Sequence, residues 1–424
     1  MLYEVWLETV RQNRGEVALR DLATGRTWTF ERLAEAAAAA ARCPDPISHP
    51  QGQDAGFVLD VLRGWRDRAV VCPLEPGQAA PAVPCPPSSC AHLKLTSATT
   101  GAARCVRMTA EQLAADARNI VRTMGLRPES PNLGVISLAH SYGFSSLITP
   151  LLLHGIPLIL APSPLPESLR LAGRNLAELT LPAVPALWRA WHEAGAIPEA
   201  TKLAISAGAP LPTTLEQAIF NSRGLKIHNF YGASECGGIA YDRGSVPRTE
   251  GAYAGSALDQ VELSTASDGT LVVQGANVAD GYWPEQDPAL DQGRFQTPDL
   301  AELRADGVWL RGRVSDVINI AGRKVHPDTV ERWLLLHPAV RDCLAFGVKD
   351  EDRGRGDALV MVVATDPPTP ARELRAYLLE HLPAWQIPRH WWPVQSMEAN
   401  QRGKVSRAEW RRRFRERGDR SSAA

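Results

Sequence analysis

Between residues 109 and 229, short apolar runs alternate with helical patterns, and this alternation narrows the fold more than any other feature of the chain. Leu133–Leu138, Ile156–Leu160, Lys202–Ser206 and Leu225–Asn229 have the length and composition of strands, with helices such as Thr109–Met124 between them. Strands separated by helices line up in parallel through crossovers, so the stretch predicts an α/β sheet of mainly parallel strands. Residues 30–42, with the alanine run Ala36–Ala41, predict a helix because alanine has the highest intrinsic propensity. Pro73–Ser89, dense in Pro, Ala and Gly, predicts an extended connector.

After about residue 250 the pattern changes to short hairpins. Gln260–Ser264 and Thr270–Gln274 flank Ser267-Asp268-Gly269, and Asp306-Gly307 lies between Ala301–Arg304 and Val308–Arg311. Asp-Gly between two short apolar runs is a strong hairpin signal. Past Arg313 the chain returns to α+β: helix Asp328–Leu336, strands Val340–Gly347 and Ala358–Ala364, and helix Pro370–His381. The expected architecture is a multidomain α/β protein. Residues 1–312 form a large N-terminal domain of mainly parallel sheets, with a β-rich subdomain over about 250–312. Residues 313–424 form a smaller α+β C-terminal lid domain.

At 424 residues the chain exceeds a single typical core, in line with that division. Lys plus Arg (46) nearly cancel Asp plus Glu (47), so no global field points to nucleic acid or a membrane surface. The basic run Arg411–Arg417 fits a solvated helix end, and a nucleic-acid tail is the remote alternative. The seven cysteines are scattered and form no CxxC pair, so neither a disulfide framework nor a zinc site is indicated, and reduced, cytoplasmic thiols fit best. No secretory signal is visible at the N-terminus. The most apolar window, Leu147–Pro162, is broken by Pro150, His154 and Pro157 and is too short to span a bilayer; a buried helix followed by a strand fits it.

Several short motifs carry chemistry. Thr96-Ser97-Ala98-Thr99-Thr100-Gly101, with Arg104 downstream, offers hydroxyls, backbone N–H groups and a cation, which is what a polyphosphate needs. It lacks the spacing of a standard P-loop. Ser206-Ala207-Gly208-Ala209 and Asn229-Phe230-Tyr231-Gly232-Ala233-Ser234-Glu235 each follow an expected strand, where ligand crevices of open α/β sheets lie. Tyr231 presents a stacking face, Gly232 permits close backbone approach, and Glu235 supplies a hard oxygen suited to Mg²⁺. Near the C-terminus, Gly403-Lys404-Val405 presents a compact point charge suited to an anionic oxygen.

Together these residues resemble the adenylate-forming superfamily of acyl- and aryl-CoA synthetases, adenylation domains and luciferases. Thr96–Gly101 is similar to its phosphate loop and Tyr231-Gly-Ala-Ser-Glu235 to its Tyr-Gly-x-Thr-Glu motif. Gly275–Trp283 resembles the segment before the family aspartate, and Thr297-Pro-Asp299-Leu300 its Thr-Gly-Asp-Leu. Gly312-Arg313-Val-Ser315-Asp316 through Pro327 resembles the hinge motif, and Gly403-Lys404-Val405 the C-terminal lysine. The matches run in order from about residue 95 to 407.

The resemblance implies a division of roles. Thr96, Ser97, Thr99, Thr100, Gly101 and Arg104 would cradle phosphates, and Gly208, Ala209 and Gly232 would line the nucleotide. Asn229 would bond the adenine amino group, Tyr231 would stack on the base, and Asp299 and Arg313 would hold the ribose. Ser234 would bond the α-phosphate and Glu235 would bind Mg²⁺. Lys404 would contact the carboxylate and bridging oxygen during adenylation, and Ser315 would be the hinge of a rotating lid. His140 lies where acyl- and aryl-activating members carry a histidine beside the carboxylate. No aspartate stands in that region to pair a substrate amine, which disfavours an α-amino acid. The implied activity is an ATP- and Mg²⁺-dependent acid–thiol ligase for a small aryl or acyl acid, with CoA or the phosphopantetheine of an acyl carrier protein as acceptor.

The chain departs from the family at Ala98 and Pro298, where glycines are usual, at Ala103-Arg104 in place of Pro-Lys, and at Ser315 in place of Asp or Lys. About ninety residues precede the phosphate loop, fewer than in typical members. These departures leave open a second class, a nucleotide-binding scaffold or partner subunit that has lost catalysis.

Overall fold

A computed structural model describes residues 1–96, 104–291, 293–320, 322–349, 357–397 and 406–421. The phosphate-loop residues Ser97, Ala98, Thr99, Thr100 and Gly101, and the C-terminal Lys404, lie outside the described residues.

The main sheet changes character at one strand. Ile227–Ala233 runs parallel to Thr201–Ser206, which runs parallel to Leu179–Ala183; beyond these lie Asn132–Gly134, Leu158–Leu160 and Val17–Asp21. On its other side Ile227–Ala233 pairs antiparallel with Gly237–Tyr241, and the sheet continues through Tyr253–Ala257, Gly307–Arg313, Arg294–Arg304, Thr270–Gln274 and Glu262–Thr265. Crossover helices build the first half and antiparallel pairing the second, and the change comes at Gly237, earlier than the residue 250 that the sequence pattern suggests. Asn132–Gly134 has Leu158–Leu160 on one side and Leu179–Ala183 on the other, so the strand order reverses there, and open α/β sheets bind ligands at the carboxyl ends beside such a reversal.

A second sheet pairs His92–Leu95 with Cys105–Met108 as a hairpin whose connection is the phosphate loop; Gly281–Trp283 borders it on one side and Val70–Val71 on the other. The helix between the sheets, Ala110–Met124, begins at a reciprocal capping box and ends on Gly125 in the left-handed conformation. Thr109 Oγ1 accepts from the Gln112 N–H at 3.3 Å, and the Thr109 N–H donates to Gln112 Oε1 at 2.9 Å. Ala55–Asp67 is capped by Asp54 and buries Phe57, Val58, Val61, Leu62 and Trp65 along one face.

The C-terminal part is a sheet covered on both faces. Val340–Lys349 pairs antiparallel with Asp357–Thr365, which runs parallel to His390–Val394. Cys343, Ala345, Leu359, Met361 and Val363 face helices Pro327–Leu334 and Ala371–His381. Leu344, Phe346, Val360 and Val362 face Trp410 and Phe414 of helix Arg407–Ser421. The two-residue period of a strand thus serves two cores. In this arrangement Arg332 donates to the carbonyl of Leu310 at 2.8 Å, seating the C-terminal part on the β-rich hairpin.

Candidate nucleotide and acid-activation site

The best-defined group lies at the end of Ile227–Ala233. Tyr231 donates its hydroxyl proton to Asp299 Oδ2 at 2.5 Å, and Arg313 Nε donates to Asp299 Oδ1 at 2.9 Å. Asp299 and Arg313 are direct cross-strand partners, so the hairpin that Asp306-Gly307 closes brings them together. Burial and the neighbouring Asp299 charge push the Tyr231 phenol well above its usual range, so it stays a donor. Two residues upstream, Asn229 is buried and donates its amide to the carbonyl of Ala254 at 3.2 Å. That bond takes one N–H of the amide and orients the side-chain oxygen, which is an acceptor of the kind an exocyclic amine requires.

Gly208 and Ala209 follow Thr201–Ser206 at the neighbouring strand end, and Gly208 takes a φ of +86° that suits glycine. Gly232, exposed near the end of Ile227–Ala233, pairs with Gly238, and Ser234 is half-buried in the turn that leads to Gly237–Tyr241.

Glu235 is the middle residue of that turn, Ser234–Cys236. Its Oε1 accepts from the Tyr282 hydroxyl at 2.9 Å, and the Tyr282 ring lies under the Arg104 guanidinium, whose central carbon is 3.4 Å from the ring centroid. Arg104 also pairs with Asp287 at 3.0 Å. At the mouth of the phosphate loop, the Thr96 N–H donates to the Arg104 carbonyl at 2.9 Å and the Arg104 N–H to Thr96 Oγ1 at 3.2 Å. A chain of contacts therefore runs from the loop through Arg104 and Tyr282 to Glu235. Tyr282 belongs to the Gly275–Trp283 match, but an aromatic next to a cation 178 residues away in sequence leaves no local signal of its part in these contacts.

His140 caps the short helix Ser141–Gly143, its Nδ1 accepting from the Tyr142 N–H at 3.3 Å. Tyr142 reaches the carbonyl of Ile205 at 3.5 Å, so the His140 turn stands beside the strand end that carries Gly208. Ser315 lies in the exposed turn Val314–Asp316, its hydroxyl 3.3 Å from Asp316 Oδ1. Just beyond Lys404, Arg407 bonds Asp316 at 3.1 Å, Asp328 at 3.0 Å and both oxygens of Glu331 at 2.9 and 2.8 Å.

Comparison with known proteins decides the family. Residues 48–283 match the model of the AMP-binding enzymes, and residues 329–404 match the AMP-binding enzyme C-terminal domain. The chain belongs to the AMP-binding enzyme family. It is similar to a probable 2-succinylbenzoate–CoA ligase of Mycobacterium tuberculosis, 31% identical over 75% of this chain and 83% of that one. A feruloyl-CoA synthase of Amycolatopsis sp is 27% identical over 76% of this chain and 69% of its own length. ATP-bound MatB from Rhodopseudomonas palustris superposes with a TM-score of 0.86 at 18% identity, covering 97% of this chain and 98% of that one, a likeness of fold. The adenylate-forming resemblance read from the motifs is thereby established, and with it an ATP-dependent, AMP-forming ligase class. Among the described residues no helix is long and apolar enough to cross a membrane.

Proposed function

We propose that this enzyme joins a small aryl or acyl carboxylic acid to ATP as an acyl-adenylate and transfers the acyl group to the thiol of CoA; a carrier-protein phosphopantetheine is the alternative acceptor. The observation that carries the reading is the convergence of Tyr231 and Arg313 on the Asp299 carboxylate at a parallel strand end. Motifs far apart in sequence meet there as a base-and-ribose site requires. The acid class rests on relatives named as ligases of 2-succinylbenzoate and ferulate, and on His140 beside the crevice.

In the first half-reaction a carboxylate oxygen attacks the α-phosphorus and pyrophosphate leaves. Both reactants are anionic, so the site must align them and offset their repulsion. Asn229 and Tyr231 would hold the base, Asp299 and Arg313 the ribose, and Ser234 the α-phosphate. Thr96, Ser97, Thr99, Thr100, Gly101 and Arg104 would hold the leaving phosphates. Lys404 would bring a cation to the reacting oxygens. In the second half-reaction the thiol sulfur attacks the acyl carbonyl and AMP departs.

Among the described residues no group of three His, Cys, Asp or Glu side chains is placed to hold a metal. Glu235, a hard oxygen donor at the turn, suits a magnesium ion held by one carboxylate and the nucleotide's own phosphates. Such an ion would neutralise phosphate charge. The lid would pivot at Ser315, in a turn whose residues are not buried. Seven free cysteines fit a cytoplasmic enzyme.

Acid-dependent exchange of pyrophosphate into ATP, screened over aryl and acyl acids, tests the proposal. Exchange with at least one acid is expected; ATP binding without exchange for any acid would leave the scaffold reading in its place.

A further inference from the structure

Beneath the candidate site lies a polar cluster that the chemistry above does not use. Lys94, Asp116 and Ser145 are 3%, 0% and 3% exposed. Ser145 donates its hydroxyl to Asp116 Oδ2 at 2.6 Å; Lys94 Nζ lies 3.3 Å from Ser145 Oγ and 3.7 Å from Asp116 Oδ2. The second carboxylate oxygen, Asp116 Oδ1, accepts the Gly238 N–H at 3.0 Å. The carboxylate presses on the backbone there: a Cβ placed on Gly237, whose φ is +66°, would lie 2.0 Å from Asp116 Oδ1.

The places of these four residues in the chain give the cluster its meaning. Lys94 stands two residues before Thr96, at the entrance to the phosphate loop. Ser145 follows His140 by five residues, and Gly238 follows Glu235 by three. Asp116, in the middle of helix Ala110–Met124, joins all three segments through one carboxylate.

We infer that the Lys94–Asp116–Ser145 cluster is a positioning unit that fixes the phosphate-loop strand, the His140 turn and the Glu235 turn relative to one another. Stability alone does not account for it, because a buried ion pair holds a fold no better than apolar side chains of similar volume. A carboxylate with both oxygens committed does what an apolar contact cannot: it allows one orientation of its neighbours. Acyl-adenylate formation needs its phosphate and carboxylate groups aligned to a fraction of an ångström, so a fixed relation among these segments bears on rate. Neighbouring His92, 1% exposed and packed on Phe144 at 4.4 Å between ring centroids, is kept neutral by burial and by Lys94, so it does not compete for Asp116.

The consequence for catalysis rests on the proposed function; the mechanical coupling does not, and the test separates them. The full-length protein is compared with Lys94→Met/Asp116→Leu, which removes both charges at similar volume, and with Ser145→Ala, a milder change. Amide hydrogen exchange without ligand reads the coupling. In the double variant, residues 93–96, 137–148 and 233–238 should together exchange at least tenfold faster, with Val340–Lys349 unchanged; Ser145→Ala should show the same pattern with smaller amplitude. Adenylation kinetics read the consequence: kcat should fall at least tenfold while KM for the acid changes less than threefold. If the double variant does not fold, Ser145→Ala carries both readouts. Unchanged exchange in those segments, or fast exchange confined to one of them, overturns the inference. So does unchanged kcat in an active enzyme whose segments have loosened. Coupled loosening in a protein that shows no pyrophosphate exchange supports the positioning unit and refutes the proposed activity instead.

Discussion

Asp299 and Arg313 stand opposite each other on adjacent strands, and the same aspartate takes the Tyr231 hydroxyl on its other oxygen. One carboxylate thus fixes an aromatic ring and a guanidinium relative to each other. Such preorganisation lowers the ordering cost of binding.

Asp299→Ala should therefore do more damage than loss of a ribose contact alone. It removes the acceptor for two donors and frees the Tyr231 ring. We expect kcat/KM for ATP to fall roughly 100-fold, about 3 kcal/mol. Tyr231→Phe keeps the ring and loses one hydrogen bond, so a loss of roughly tenfold or less is expected. Pyrophosphate exchange at varied ATP measures both. Equal losses in the two variants would mean that the hydroxyl, rather than the shared carboxylate, organises the site.

How much of this was legible beforehand differed by element. Thr109–Met124 was legible to within a residue because its capping box and its Gly125 stop are local signals. Thr270–Gln274 was legible to the residue because Asp268-Gly269 determines the turn before it. The apolar run Leu133–Leu138 overstates its strand: pairing ends at Gly134 and the chain turns off toward His140. The alanine helix ends at Ala39 rather than residue 42, its C-cap Ala40 already extended. Leu2–Asn13 buries only Leu2, Trp6 and Thr9, too thin a stripe to stand out, whereas Ala55–Asp67 carries a full amphipathic pattern under an Asp54 cap and was missed although the signal was there. Of the site, the Tyr231, Asp299 and Arg313 motifs were visible. The links through Asp116, Tyr282 and Arg407 were not, since each joins residues that only the folded chain brings together.

Lys404→Ala should separate the half-reactions. A lysine that serves adenylation from a rotating lid is needed for acyl-adenylate formation and dispensable once the lid has turned. We expect pyrophosphate exchange to fall at least ~1000-fold, on the scale of losing a charged transition-state contact. Thioester formation from supplied acyl-adenylate should stay within a few-fold of the unaltered enzyme. Equal loss in both assays would contradict the two-state lid.

Arg407 lies three residues beyond Lys404 and is held by Asp316, Asp328 and Glu331, so it moors the start of the last helix next to the Ser315 turn. Removing it leaves three carboxylates facing one another. Arg407→Met should cost about 3–5 kcal/mol of stability, the usual loss when one partner of a buried ion pair is deleted. Calorimetric unfolding at neutral pH measures it. The deficit should shrink at lower pH as the Glu331 carboxyl takes up its proton; a loss independent of pH would mean that packing, not charge, is what Arg407 contributes.

Glu331 gives the last prediction a sign. Burial pushes its carboxyl up to about 7; the Arg407 charge opposes that shift and Asp328 adds to it. In the unfolded chain the same carboxyl titrates near 4.5. Between these two values the unfolded chain has released its proton while the folded protein retains it, so the folded state binds more protons and stability must fall as pH rises. The fall begins above about 4.5 and levels off above about 7; below the window both states are protonated and the group contributes no slope. Asp342, raised to about 6 by burial, adds a slope of the same sign over the lower part of the range. The informative quantity is therefore the difference between two proteins. Glu331→Gln carries no titrating proton and keeps an oxygen that can accept from Arg407 and from the Ala345 N–H, now bound at 2.7 Å. Unfolding temperatures measured from pH 5 to 8 should decline less steeply in Glu331→Gln than in the unaltered protein up to pH 7, and the two curves should run parallel above it. Parallel curves across the whole range would show that Glu331 is already ionised at pH 5, with Arg407 outweighing burial.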